Sequence, residues 1–425
     1  MPMRNCVFFL LLIAALIISP KPILAKEVTL EFWNGFTGRE GRGIQKIVDS
    51  FNKEYKGRIR VNMVVMSWND FYGKLALAVH TKRGPDIGVV HYDNVYTAIY
   101  QGIALELDPY LDKFPKEDFV KSVWEVSDYN THHYGIPLDV IPLAFYWNKD
   151  LFAAAGLDPE KPPSNRAEFL VACEKLNQAD LKKNGQKVWP CMIPCTWPHF
   201  LLWQHIFFCN GGQMFNSDCT KARYNSPAGE DALQFLWDLV NKYEYSPRNV
   251  MGLPANEGKE SFCRGTCAML IEGPWMLSSF EEIPELNFGA TAAINLGTGE
   301  HRIWSSGHTV IIFKKKSSEP VQISASVTFV EYLSAHSIEW ARTNAIPARY
   351  SVMSSEEFKK IPYLPQIARD VDKFTFPEQH YRYTEGVQPL VTEYLNLCLI
   401  NKMSPHEALV KAANESTTQL QQDSD

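Results

Sequence analysis

Val28-Thr29-Leu30-Glu31-Phe32-Trp33-Asn34, with Ile44, Ile47, Val48 and Phe51 after it and then the run Arg58 to Met66, decides the fold. Val28, Leu30 and Phe32 alternate with polar neighbours, which is the period of a half-buried strand. Asn34 to Gly43 is glycine-rich and reads as a turn. Ile44, Ile47, Val48 and Phe51 follow at helical spacing, and Arg58 to Met66 reads as a second strand. Ser67-Trp68-Asn69-Asp70 has the form of a helix start whose serine and later carboxylate close a capping box. Asp86 to His91 is a short buried strand, and Asn94 to Gln101 is helical again. The order β-α-β-α-β predicts a parallel sheet with helices on both faces.

Working outward, a second α/β region begins at the apolar, aromatic run Leu143 to Trp147. Asn148-Lys149-Asp150 starts a helix, and Ala167 to Leu176 and Ala232 to Tyr243 are amphipathic. Val188 to Ile193 and Ala268 to Ile271 predict strands of a second sheet. Later strands are expected over Ala290 to Ile294 and Val310 to Phe313. Helices are expected over Val321 to Leu333 and Pro405 to Gln422. In doubly wound sheets ligands sit outside the carboxyl ends of strands. That rule selects Trp33 and Asn34, Ser67 and Trp68, His91 to Asp93, and Glu272 to Trp275. Aromatic residues make up 12% of the chain, with eleven Trp and eighteen Tyr. Many sit beside Gly, Pro, Asn or Asp, where the chain turns and side chains are exposed.

Arg4 precedes an apolar run from Cys6 to Ile18. Ser19-Pro20 breaks it, and Ala25 precedes Lys26, so 1–25 is expected to be a cleaved secretion signal. The run is too short for a spanning helix, which needs roughly 20 apolar residues. Removing Arg4 and Lys21 leaves 40 basic against 48 acidic residues. A mildly acidic chain without a basic block argues against nucleic acid and anionic lipid. Eight cysteines would remain, an even number that favours disulfides in an exported chain.

Several catalytic patterns are missing. The glycines at 35, 38, 41 and 43 lack the Gly-Lys-Ser/Thr ending of a phosphate loop, and His132-His133 and His199 form no His-Glu-x-x-His motif. Cys191/Cys195 and Cys263/Cys267 have spacing that a zinc site could use, but export favours disulfides. No metal or cofactor is expected. A secreted glycoside hydrolase would need a carboxylate pair such as Asp139 and Glu272, and nothing in the sequence singles these out as one.

The chain resembles the family 1 extracellular solute-binding proteins, which serve sugar-type ATP-driven importers. The resemblance is carried by Phe32 to Gly38, Gly84-Pro85-Asp86-Ile87, Tyr134 to Asp139, Tyr146 to Phe152, Ala155 to Pro159 and Trp203-Gln204 through Gly211-Gly212. Tyr224-Asn225-Ser226-Pro227, Gly265 to Trp275, Ile346-Pro347-Ala348-Arg349 and Ser404 to Leu409 continue it. It implies an α/β, two-lobed periplasmic-binding-protein fold of type II, with hinged lobes around a central cleft. The N-terminal lobe would be 26–138 plus 292–336, and the C-terminal lobe 139–291 plus 337–425. The implied function is capture of a sugar-like ligand by a soluble, exported, monomeric protein of the periplasm, and its delivery to importer permease subunits.

By the same resemblance Trp275 stacks on sugar, and Trp33, Asn34, Tyr92, Asp93, Asp139 and Trp304 to His308 face the cleft. Read from the residues alone, His308 is either structural or a ligand contact, and Trp197 either packs the core or lines the cleft. Glycerol-phosphate-binding relatives use a Tyr and an Arg where this chain reads Asn344-Ala345-Ile346-Pro347 and Glu385-Gly386-Val387-Gln388. A phosphorylated ligand is therefore disfavoured, although Arg349 and Arg382 keep it open. In the implied second lobe Cys191 and Cys267 fall on neighbouring strands, which suggests one disulfide, and Cys209 and Cys219 flank the Gly211-Gly212 loop, which suggests another.

Overall fold

The computed structural model describes residues 27–422 apart from 82–83, 194–196, 249–253, 255, 315–318 and 379. The expected leader, 1–25, lies outside the described residues. The opening elements are β1 (Val28–Asn34), α1 (Gly38–Glu54), β2 (Ile59–Val65), α2 (Trp68–Thr81), β3 (Ile87–His91) and α3 (Tyr92–Tyr100). Ser67 closes its capping contact, accepting from the Asp70 backbone N–H at 3.2 Å and donating to the Asp70 carboxylate at 2.8 Å. The glycine-rich segment is less of a turn than expected, because α1 already begins at Gly38. Gly38 takes φ +56°, a conformation glycine reaches at no steric cost, so the chain swings from β1 into the helix within four residues.

The first sheet has the order β2-β1-β3, then His308–Ile312, then Ile136–Pro137. β1 pairs parallel with β2 and β3, as predicted. The sheet as a whole is mixed, because His308–Ile312 runs antiparallel to both its neighbours. It is reached from a distant part of the chain rather than by a βαβ crossover, so no handedness rule forces it parallel. The second sheet has the order Trp189–Cys191, Cys267–Glu272, Ala144–Asn148, Phe288–Ala292. Asn148 caps the helix that follows it, accepting from the Leu151 N–H at 3.0 Å.

A small third sheet links Ile346–Pro347, Asp139–Pro142, Ile303–Ser306 and Phe374–Thr375. Asp139–Pro142 leads directly from the first sheet toward the second. Ile303–Ser306 does the reverse, and the two strands pair antiparallel. The short helix Ser337–Ala341 packs against α1, where Gly43 leaves room for Thr343: an added Cβ would lie 2.3 Å from its methyl. Among the described residues no helix is long and apolar enough to cross a membrane.

The expected disulfides are corrected by the structure. Cys173, Cys191, Cys209, Cys219, Cys263, Cys267 and Cys398 are all free. Cys191 and Cys267 do lie on adjacent parallel strands, but Trp189 pairs with Cys267 and Cys191 with Met269. That two-residue stagger separates their Cα atoms by roughly 8 Å, beyond the span of a disulfide. The Cys209 thiol ends its helix donating to the Arg302 carbonyl at 3.0 Å, and Cys219 sits in a left-handed turn at φ +56°. Of the two Cys-x-x-x-Cys pairs, Cys195 lies outside the described residues.

Candidate functional site

A cavity of about 470 Å³ opens where the carboxyl ends of β1 and β3 face the loops of the second sheet. Its size and its mostly apolar walls, rich in aromatic rings, are those of a small-molecule site. Each part of the wall follows from a local feature of the chain. Gly35 follows β1 because anything larger would collide with the Trp68 ring: an added Cβ would lie 2.1 Å from its Cδ2. Trp68, at the first position of α2, stacks on His308 at 5.5 Å and 12° and lies over His91 at 4.3 Å. Phe36 meets its edge at 5.3 Å. Across the cavity, Gly273 and Pro274 turn the chain after Cys267–Glu272, and the Trp275 ring folds back over Gly273, 1.9 Å from where a Cβ would stand.

Two histidines line this space, and their surroundings shift them in opposite directions. Asp139 is fully buried; it accepts the His308 N–H at 2.8 Å, His308 Nδ1 at 2.9 Å and Trp340 Nε1 at 2.8 Å. Burial by itself would lower the His308 pKa, but Asp139, through charge and hydrogen bond, raises it, helped by Glu40 and Asp93. His91 has no such partner. Burial and the neighbouring His308 hold its pKa well down, so it stays neutral. The Tyr72 hydroxyl holds the ring in place, accepting the His91 backbone N–H at 3.0 Å and lying 2.7 Å from Nδ1. Burial raises the pKa of both Glu40 and Asp93 above the usual carboxylate range.

The remaining wall comes from segments remote in sequence. Trp304 Nε1 donates to Gln204 Oε1 at 2.9 Å, and Gln204 Nε2 donates to the Tyr383 hydroxyl at 2.7 Å, which fixes two rings of the cavity through one buried amide. Phe200, Leu201, Phe376 and Gln388 complete it, with the Ser305 and Ser306 segment on the linking strand. At the rim Arg39 of α1 donates to Glu281 at 2.8 Å, and Tyr100 of α3 stacks on Tyr381 at 3.9 Å.

Of the expected ligand residues, Tyr92, Asp93, Trp275, Trp304 and His308 line the cavity. Trp197 opens its helix, but its side chain lies outside the described residues. Four others are placed elsewhere. Trp33 packs with the apolar cluster around Phe71 and Val90, because its position on β1 turns it to the face opposite Phe32. Asn34 is buried and folds back to accept the Phe36 N–H at 3.1 Å. Asp139 acts from behind His308. Arg349 is drawn away by Asp118, 2.7 Å from its Nε. The carboxylates of Asp139 and Glu272 do not face each other across the cavity, and neither residue lines it.

Sequence reasoning missed Glu40, Phe200, Leu201, Phe376, Tyr383 and Gln388 as site residues. Glu40 carried a usable signal, an acidic residue in the first turn of a helix that starts at a strand's carboxyl end. The others carried none. The strand-end rule did select Trp68 and His91.

Comparison with known proteins bears on this geometry. Residues 37–337 match the family described as bacterial extracellular solute-binding protein. The sn-glycerol-3-phosphate-binding periplasmic protein UgpB of Pectobacterium atrosepticum is 26% identical over 272 residues, 61% of this chain and 59% of its own length. The cyclic alpha-maltosyl-1,6-maltose binding protein from Arthrobacter globiformis superposes with a TM-score of 0.79 at 21% identity, covering 93% of this chain and 99% of that one. The sugar-binding protein MalE from Xanthomonas citri superposes with a TM-score of 0.81 at 17% identity, covering 92% and 97%. The chain belongs to the bacterial extracellular solute-binding protein family and has its two-lobed α/β fold.

Proposed function

We propose that this chain is an exported, periplasmic binding protein that captures a sugar or related polyol and hands it to the permease subunits of an ATP-driven importer. The lobes would be 26–138 plus 292–336 and 139–291 plus 337–425, after removal of 1–25. The observation that carries the reading is the aromatic cavity: Trp68, Trp275, Trp304 and Tyr92 offer ring faces, and Asp93, His91, His308 and Gln388 offer hydrogen-bonding groups beside them. Rings pack on the C–H faces of pyranoses, and fixed polar groups reject a ligand that lacks the matching hydroxyl. The named ligands of the structural relatives support the same reading.

The mechanism is a hinge. The two antiparallel connections of the small sheet join the lobes, and a solute touching both lobes favours the closed form. The rim contacts Arg39–Glu281 and Tyr100–Tyr381 form when the lobes are together. The chain acts by binding, not by chemistry, since the family is one of binding proteins and the pair Asp139 and Glu272 does not line the cavity. A glycerol-phosphate-type ligand is the second reading, favoured by the relative of that name. No Lys or Arg is among the described residues that line the cavity, which counts against a dianion.

Calorimetry with monosaccharides, disaccharides, polyols and glycerol phosphate, together with analysis of products, tests this function. Saturable binding of a sugar or polyol without turnover is expected; released monosaccharide, or binding of glycerol phosphate alone, refutes it. Once a ligand is in hand, Trp275→Ala should weaken it by about 1–3 kcal/mol through loss of ring contact. Unchanged affinity would remove Trp275 from the site.

A further inference from the structure

The charge inside the cavity is unbalanced. Glu40, in the first turn of α1, and Asp93, in the first turn of α3, both line it. The positive charge of His308 is already matched by Asp139, 2.9 Å away. The Asp93 carboxylate accepts the Asn94 amide at 3.1 Å, the Thr384 hydroxyl donates to the Asp93 backbone carbonyl at 3.4 Å, and the cation acting on Asp93 is the same His308. The Glu40 carboxylate makes no hydrogen bond or ion pair among the described residues, and the charges that act on it are His308 and, more weakly and in the opposite sense, Asp139. Arg39 is next in sequence but turns outward to Glu281.

An ionised carboxylate that loses its water needs a counter-charge or takes up a proton. A neutral solute that displaces the cavity's water offers these two carboxylates hydroxyl donors but no counter-charge. A ligand with an ammonium group supplies the missing charge, and the surrounding ring faces attract a cation as well. We propose that the solute is a saccharide or polyol bearing a protonated amine, held by the Glu40 and Asp93 carboxylates within the cage of Trp68, Tyr92, Trp275 and Trp304. This rests on the sugar-binding reading above and narrows it to one chemical class.

The test is calorimetry on the full chain at neutral pH with matched pairs: glucosamine and glucose, galactosamine and galactose, and the β-1,4-linked glucosamine dimer and cellobiose. At least one amine is expected to bind about tenfold or more tightly than its hydroxyl parent, a difference of about 1.4 kcal/mol. That ratio should fall toward one in Glu40→Gln or Asp93→Asn. The wild-type comparison needs no variant, so a misfolded substitution does not blunt it. If parent sugars bind as tightly as their amines in every pair, or the preference survives both substitutions, the amine is refuted and the sugar reading stands. If no member of any pair binds, both fall.

Discussion

Replacing Asp139 by Asn removes one charge and little volume from the centre of the molecule, and its cost can be worked from the contacts. The wild-type carboxylate is wholly buried and accepts three hydrogen bonds, two from His308 and one from Trp340. An asparagine oxygen can keep the two bonds from His308. Its amide group would then point donor-to-donor at Trp340 Nε1, and an orphaned buried donor costs about 1–3 kcal/mol. The variant also leaves the His308 charge uncompensated, and breaking a buried pair from one side costs several kcal/mol. A total loss of about 3 kcal/mol is expected near pH 6. The loss should depend on pH in a definite direction. The folded-state pKa of His308 is raised. Its stabilisation is therefore full below the unfolded-state value of about 6.5 and is lost as pH climbs through the folded-state value. The difference between wild type and variant should shrink from about pH 6 to about pH 9, leaving the hydrogen-bond part. Urea unfolding followed by tryptophan fluorescence at both pH values measures it. A difference below about 1 kcal/mol at the lower pH, or one that does not shrink, would refute the ion-pair account.

Three further outcomes follow from the same geometry. Gly35→Ala should push Trp68 off His308 and His91, weakening ligand binding by about 1–3 kcal/mol; an unaltered near-ultraviolet circular dichroism spectrum and affinity would contradict the close approach seen there. Burial pushes the Glu272 carboxyl up from 4.5 to about 7, so its folded-state penalty is absent at pH 4, grows as pH rises between those two values and is complete above the higher one. Glu272→Gln should then be more stable than wild type at pH 8 by up to about 3 kcal/mol and equal to it at pH 4, readable from paired melting curves. Arg349→Ala should leave ligand affinity unchanged while lowering stability by about 1–3 kcal/mol, because its partner Asp118 is mostly buried; a loss of affinity would return Arg349 to the site.

The sequence by itself determined the alternating strands and helices, because strand and helix periods are properties of neighbours along the chain. It also placed Trp68, His91, Asp93 and Trp275 at strand ends, where a doubly wound sheet must open. Three things were decided only by tertiary structure. Which way a strand-end side chain turns depends on packing across the sheet, so Trp33 packs on the apolar cluster away from the cavity while Trp68, three connections further along, lines it. Whether two cysteines meet depends on register, and a two-residue stagger kept Cys191 from Cys267. The far wall of the cavity, from Phe200 to Gln388, comes from segments more than a hundred residues from the strand ends they face. Their contribution exists only once the lobes are assembled, because no local pattern encodes a contact between elements that the chain brings together from its two ends.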